Sequence, residues 1–282
     1  CIGAFTSAFF SKCMKGVIEP DLLRFMIALL IGAVCAGIFG ILIGIPVLRL
    51  NGDYLAIVTL AFGEIIMNII NALYIGRDEN GFHFSMKDSM SLNMSDSGKI
   101  IIKGAQGITG TARQSTFTIG IILLLLTLVV VLNLMNSRSG RAIMSIRDNR
   151  IAAESVGIDV TKYKIMAFAI SASLAGLAGC LYAHNLSSLT ALPKNFGYNM
   201  SIMILVYVVL GGMANMRGSI IAAVLLTIIP ELLREIGEYR MLIYAVIMIV
   251  MMIFNWSPKV REWRKAHSIK GAFHKKNVKE AE

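Results

Sequence analysis

Apolar residues fall in long runs separated by short polar stretches. Crossing a bilayer's hydrocarbon core takes about 20 apolar residues as helix, because the backbone must satisfy its own hydrogen bonds there. Such runs are predicted at 22–48, 54–75, 117–135 and 163–184, with three more at about 199–214, 219–236 and 240–256. Residues 1–14 read as the tail of a further span, and the run from Phe117 to Met135 carries no charge. The prolines fit this parsing. Pro20 precedes a run, Pro46 closes it, Pro193 lies in a loop and Pro258 follows the last run, all places where a missing N–H costs little. Pro230 falls inside a run and predicts a kink.

The composition agrees. Of 282 residues, 56% are hydrophobic and 16% charged, with a mean hydropathy of +0.70. Too little polar side chain remains to wet a globular surface, which excludes a soluble enzyme, a disulfide-stapled secreted module and a disordered tail. Cys1, Cys13, Cys35 and Cys180 show no CxxC spacing and read as small buried hydrophobes, so neither a metal site nor a disulfide framework is expected. The chain opens with Cys1 inside an apolar stretch, as a fragment lacking its first residues would.

The net charge of +10 suits either nucleic-acid binding or topology. Counting alternating crossings back from the C-terminus collects the tail lysines and arginines, Arg138, Arg141, Arg147, Arg150 and Lys162 on one side, with Arg49 and Arg217. The opposite side receives the 76–116 segment, whose basic residues are nearly balanced by Asp78, Glu79, Asp88 and Asp96. The positive-inside rule then makes the tail side cytoplasmic and removes nucleic acid as a partner. The expected domains are a transmembrane domain over 1–257, with a cytoplasmic loop at 137–162 and an external loop at 76–116, and a basic tail over 258–282.

Polar residues inside spans single out candidate sites. A carboxylate in mid-membrane costs about 2.5–3.5 kcal/mol on insertion scales and tends to face a bundle interior or a wet cavity. Glu64, Asn68 and Asn71 stack on one helix face. The stripe either lines a translocation pathway or holds a partner helix, or it forms a buried structural network. In the 163–184 run, Ala167, Ser171, Ala175 and Gly179 recur every four residues beside Ala172, Gly176 and Cys180, a spacing that lets helix backbones approach closely. His184 ends that run without a second ligand nearby and reads as an interfacial histidine. Gly211 and Gly212 interrupt the 199–214 run, as either a helical hairpin or a broken helix near a transport site.

The stretch SRSGRAIMSIRDNRIAAESVGIDVTKYK (137–164) is too charged to insert and too apolar at intervals to be a free linker. Ile143 and Ile146 share one face of a short helix. Asp148 or Asn149 can N-cap a second helix through Val156, with Gly157 as its stop. Short capped amphipathic helices at a membrane face want a protein partner or the lipid surface.

AAESVG in this loop resembles the cytoplasmic EAA-type loop of ABC importer permeases. RLNGDYLAIVTLAFGEII (49–66), GRAIMSIRDNRIAAESVGIDVTKYKIMAFAISASLAGLAG (140–179), VVLGGMANMRGSIIAA (208–223) and IIPELLRE (228–235) resemble the LivM-type permease of branched-chain amino-acid ABC importers, in order along nearly the whole chain. IGRDENGFHFSMKDS after Tyr74 departs from the Thr-Gly-Gly-rich turn of that family. The resemblance implies an all-α, polytopic transmembrane bundle in the bacterial cytoplasmic membrane, with a cytoplasmic C-terminus. It implies a LivH-type permease partner, two ABC ATPase subunits and a periplasmic or extracellular solute-binding protein delivering leucine, isoleucine or valine. Arg147, Asp148, Ala152, Ala153, Glu154 and Gly157 become the expected ATPase-coupling residues. The chain lacks GxxxxGK[ST], so no cofactor is expected on it, ATP and magnesium belonging to the partner subunits, and it is not expected to be an enzyme. An ion-coupled secondary transporter, with Glu64 as its acid, is the main rival. An intramembrane enzyme would need converging groups that His83, His184, His267 and His274 do not offer.

Overall fold

Unbroken apolar sequence makes helix here because no other backbone form satisfies itself in hydrocarbon. The computed structural model describes residues 1–50, 52–78, 81–92, 98–186, 188–212, 216–233 and isolated positions from 239 to 249. The chain divides into two units, Cys1–Tyr198 and Asn199–Glu282. The first begins with α1 (Ile2–Cys13), α2 (Asp21–Val47) and α3 (Asp53–Ala72). Strands β1 (Tyr74–Asp78), β2 (Gly81–Ser85), β3 (Lys99–Lys103) and β4 (Ile108–Thr109) follow. Then come α4 (Phe117–Asn136), α5 (Arg138–Asp148), α6 (Arg150–Ser155), α7 (Val160–Asn185), β5 (Ser188–Leu189) and the single turn α8 (Pro193–Phe196). α9 (Tyr198–Gly211) opens on the last residue of this unit, and α10 (Met216–Leu232) lies in the second. α2, α3, α4 and α7 are long and apolar enough to cross a membrane. The 14 residues of α9 rise about 21 Å, short of the roughly 30 Å hydrocarbon core. The span expected at 240–256 lies largely, and the basic tail wholly, outside the described residues.

The core of the first unit is a three-helix seam of α1, α2 and α7 built from small residues. A Cβ on Gly3 of α1 would lie 2.5 Å from the Gly176 carbonyl oxygen, and one on Gly40 of α2 would lie 2.6 Å from Ala172 Cβ. Backbones this close are possible because nothing larger stands between them, and in lipid such packing replaces the hydrophobic drive. Phe25, Leu29, Leu123 and Cys180 extend the seam to α4. α3 and α4 otherwise face outward. Each buries one residue, Met67 and Leu123 respectively, while Tyr54, Ile57, Ile122 and Leu125 are exposed. Outward faces this apolar suit lipid or a companion subunit.

One departure from the all-α expectation lies between α3 and α4. The stretch 74–103 forms a three-stranded antiparallel sheet of order β2-β1-β3, with Arg77 opposite both Phe82 and Lys99. β4 pairs with β5, bringing Ile108 to Leu189. These segments are too short and polar to span, and outside the hydrocarbon a chain can satisfy its backbone by pairing. Their interior faces, Ile75, Ile101, Ile102, Ile108 and Leu189, join Ala4, Phe5 and Ala8 of α1 in one apolar cluster. The sheet therefore caps one end of the bundle, and the α5–α6 loop lies at the other.

Candidate functional site

At the end remote from the sheet, successive caps turn the 137–162 stretch into rigid structure. Ser137 Oγ accepts from the Gly140 N–H at 3.1 Å and starts α5. Asn149, extended at φ −155°, ends α5 and caps α6 by accepting from the Ala152 N–H at 3.1 Å. Gly157, at φ +83°, closes α6, with its N–H on the Glu154 carbonyl at 3.0 Å and that of Ile158 on Ala153 at 3.1 Å. Asp159 then caps α7 through the Lys162 N–H at 3.0 Å. Each such cap contributes about 1 kcal/mol to helix stability. Ile146, Ala153 and Val160 bury together with Ile158 and Tyr163 and fix this knob to the root of α7.

The outer surface of the knob is exposed and mixed. Arg147 pairs with Asp148 at 2.9 Å and Arg150 with Glu154 at 3.1 Å. Exposed pairs of this kind contribute little stability. Beside them Ile151 and Val156 stand 79% and 74% exposed. Of the residues expected to couple, Arg147, Asp148, Ala152, Glu154 and Gly157 lie on this surface, whereas Ala153 points inward. Ile151 lies across the helix from the buried Ala153, two residues away, and that spacing is legible in the sequence; Val156, at the C-cap of α6, carries no such signal. Behind α5 a cavity of about 440 Å³ is lined by Leu48 and Leu50 of the α2–α3 connection, by Leu55 in the first turn of α3 and by Ile143, Tyr163 and Phe168. The knob thus sits beside the turn that launches α3.

The polar stripe of α3 holds chain. Glu64 Oε1 accepts from the Tyr198 N–H at 3.0 Å. Asn71 Nδ2 donates to the Ala191 carbonyl at 2.7 Å, while its Oδ1 is buried without a partner. Asn68 is exposed and donates to its own helix at Glu64 O, 2.9 Å. Glu64 and Asn71 therefore engage the 190–198 connection, and Asn68 does not.

On α7 the packed row is Ala172, Gly176 and Cys180, with Gly179 against Ala4 N. Ser171 and Ala175 are exposed and point out of the seam, a one-position rotation from the expected row. Fourfold spacing fixes a stripe but not which of two adjacent stripes meets the neighbour. His184 also departs from its interfacial reading: it is fully buried, with Nδ1 3.0 Å from the Cys180 carbonyl and its ring 4.9 Å from that of Phe25. In the second unit, Gly211 abuts the backbone of Gly218 and Ser219, and the Gly212 N–H reaches Val209 O at 3.1 Å. Among the described residues no cluster of three His, Cys, Asp or Glu side chains could hold a metal ion.

The profile of the family described as branched-chain amino acid transport system, permease component, matches residues 1–254. The chain belongs to that permease family. It is 34% identical over 267 residues to the high-affinity branched-chain amino acid transport system permease protein LivM of Escherichia coli strain K12, covering 92% of this chain and 60% of that protein. The LivM of Salmonella typhimurium gives the same identity and coverage. The fructose import permease protein FruG of Bifidobacterium longum is 26% identical over 151 residues, 50% of this chain and 43% of that one. No solved structure matches. The chain spans about 60% of the length of the LivM relatives it matches. As a member of this family with four helices long and apolar enough to cross a bilayer among its described residues, it is a multi-pass membrane protein.

Proposed function

We propose that the chain is the membrane-spanning permease subunit of an ATP-driven importer that carries leucine, isoleucine or valine across the bacterial cytoplasmic membrane. In this reading it pairs with a LivH-type permease. Two ABC ATPase subunits bind ATP and magnesium, and a solute-binding protein delivers the amino acid. The observation that carries the reading is the α5–α6 knob: a multiply capped helix pair, fixed to α7, presenting Ile151 and Val156 amid charged side chains. A secondary transporter has no use for such a surface, whereas a motor subunit needs one to grip. Seating Ile151 and Val156 in a partner's groove removes both from solvent, at roughly 1.5–3 kcal/mol for each fully buried side chain. The knob's place across that cavity from the α2–α3 turn then gives a displacement that closes it a route into α3 as well as α7, a shift between two packings of the bundle. The 138–150 side is cytoplasmic, and so is the C-terminus.

Similarity to a fructose permease shows that solute choice varies across relatives of this chain, so the branched-chain assignment rests on the 34% identity to LivM. The energy source tests the proposal. Branched-chain amino-acid uptake by cells carrying the complete system should survive a proton uncoupler and stop when ATP is depleted. Uptake that instead collapses with the proton gradient while ATP is held constant identifies an ion-coupled carrier, with Glu64 its first suspect.

A further inference from the structure

Two cavities of the first unit follow one another along the seam where α1 meets α3 and the sheet. The deeper one, about 280 Å³, is lined by Phe5, Phe9, Phe39, Ile66, Ile70 and Leu73 among other apolar residues. The single hydroxyl on its wall, that of Thr6, is already bonded to the Ile2 carbonyl at 2.8 Å. Water has nothing to hold there. The second cavity, about 610 Å³, is lined by Lys12, Lys15, Arg77 and Lys99, with Asp78 the one carboxylate among its described lining residues.

The two are continuous in the fold. Along α1 the lining passes in one turn from Phe9 to Lys12, and along β1 it passes from Ile75 to Arg77. Across the sheet Ile75 faces Ile102, and Arg77 faces Lys99. The basic cavity therefore adjoins the apolar one, one turn further along α1 and two residues further along β1, at the end of the bundle that carries the sheet.

We propose that this seam binds an anionic phospholipid, with the phosphate headgroup among Lys12, Lys15, Arg77 and Lys99 and one acyl chain in the groove beneath. The charges need an anion. Lys12 spends one of its three donors on the Thr109 carbonyl at 2.9 Å, and Arg77 spends Nη1 on the Cys13 carbonyl at 3.0 Å. Further N–H groups on both remain for phosphate oxygens, and four cations against the single described carboxylate of Asp78 leave an excess of positive charge that a bound anion offsets. Basic pockets between membrane-embedded elements are matched to lipid headgroups. The groove decides the source of that anion: free phosphate or an acidic protein surface fills only the basic cavity, whereas a lipid fills both. A bound lipid joins α1, α3 and the sheet at their common edge. The inference depends on the chain lying in a membrane and is independent of which solute it carries.

Native mass spectrometry of the purified transporter assembly tests this, using phosphatidylglycerol and phosphatidylcholine of identical chains, with inorganic phosphate as competitor. Phosphatidylglycerol should be retained in preference. The Lys12→Gln, Lys15→Gln, Lys99→Gln triple variant should hold it about 100-fold more weakly, from three lost surface-type attractions. Lys15→Gln alone, on the exposed connection after α1, should weaken it about 5-fold and guards against a triple variant that fails to fold. Ile66→Trp, which fills the groove, should lower phosphatidylglycerol retention without touching a cation. Equal retention of both lipids overturns the proposal. So does full displacement by millimolar phosphate together with indifference to Ile66→Trp, the signature of a free-anion site. Loss of solute-binding-protein docking in the triple variant with lipid retention unchanged overturns it in favour of an acidic protein surface.

Discussion

Gly176 lies where α1, α2 and α7 cross, and it gives the sharpest test of the packing argument. A Cβ placed there would sit 3.1 Å from the Gly32 carbonyl oxygen and 3.4 Å from Ala33 Cα, and would press directly on Ala36 Cβ. Carbon atoms prefer about 3.5–4.0 Å, and a gap of 0.5–1 Å forfeits about a quarter to a half of each dispersion well. Opening the seam by that much across roughly 30 atom pairs of about 0.15 kcal/mol each loses about 1.5 kcal/mol. This agrees with the about 1–3 kcal/mol typical of overpacked cores. Gly176→Ala should therefore destabilise the chain by about 1–3 kcal/mol in a reversible SDS-titration unfolding experiment, and Gly176→Leu by more. Ala175→Leu, one residue along the same helix but exposed, should change the unfolding midpoint of the isolated chain little. If Ala175→Leu costs as much as Gly176→Leu, or if Gly176→Ala is neutral, the assigned packing face of α7 is wrong.

Three more outcomes are expected. Gly157→Val forces a β-branched residue to φ +83°, costing about 1–2 kcal/mol locally; ATP-driven uptake should fall while the chain still inserts and assembles, as read by membrane fractionation, and undiminished uptake removes Gly157 from the coupling role. Glu64→Ala deletes the acceptor for the Tyr198 N–H and should impair assembly or transport, with Glu64→Gln, which keeps an acceptor oxygen, the milder variant; equal and normal uptake in both reduces the stripe to a bystander. A cysteine replacing Ser145 should react with an impermeant thiol reagent only from the cytoplasmic side in oriented vesicles, and labelling from the other side inverts the proposed topology.

Much of the architecture was legible because the bilayer imposes a length. The runs at 22–48, 54–75, 117–135 and 163–184 became helices whose ends differ by three residues or fewer from those expected, and Asn149 resolved the choice of cap left open between it and Asp148. What the sequence withheld is direction. In water an apolar face points inward, but α3 and α4 show that in lipid it need not, so Ser171 and Ala175 were indistinguishable from the row that packs. The sheet escaped notice because YIGRD, GFHFS and KIIIK are only five residues each: β1 and β2 are neighbours in sequence, but β3 pairs with β1 from beyond β2 and a polar connection, and β4 meets β5 only across α4 to α7. The stripe of Glu64 and Asn71 was visible, but its occupant was not, since a backbone N–H at Tyr198 and a carbonyl at Ala191 leave no mark in side-chain pattern.

The pairing of Ile108 and Thr109 with Leu189 and Ser188 ties together the two ends of an excursion that runs down α4, through the capped knob and back up α7. Two further strands of lacing reinforce the tie: the Gln114 N–H to the His184 carbonyl at 3.2 Å, and Thr111 Oγ1 to that of Leu186 at 2.7 Å. Clasped at the sheet end and built into the α1–α2–α7 seam along α7, the excursion holds the knob at a set distance from the sheet, so a load applied to the knob reaches the seam instead of being taken up by slack in the loop.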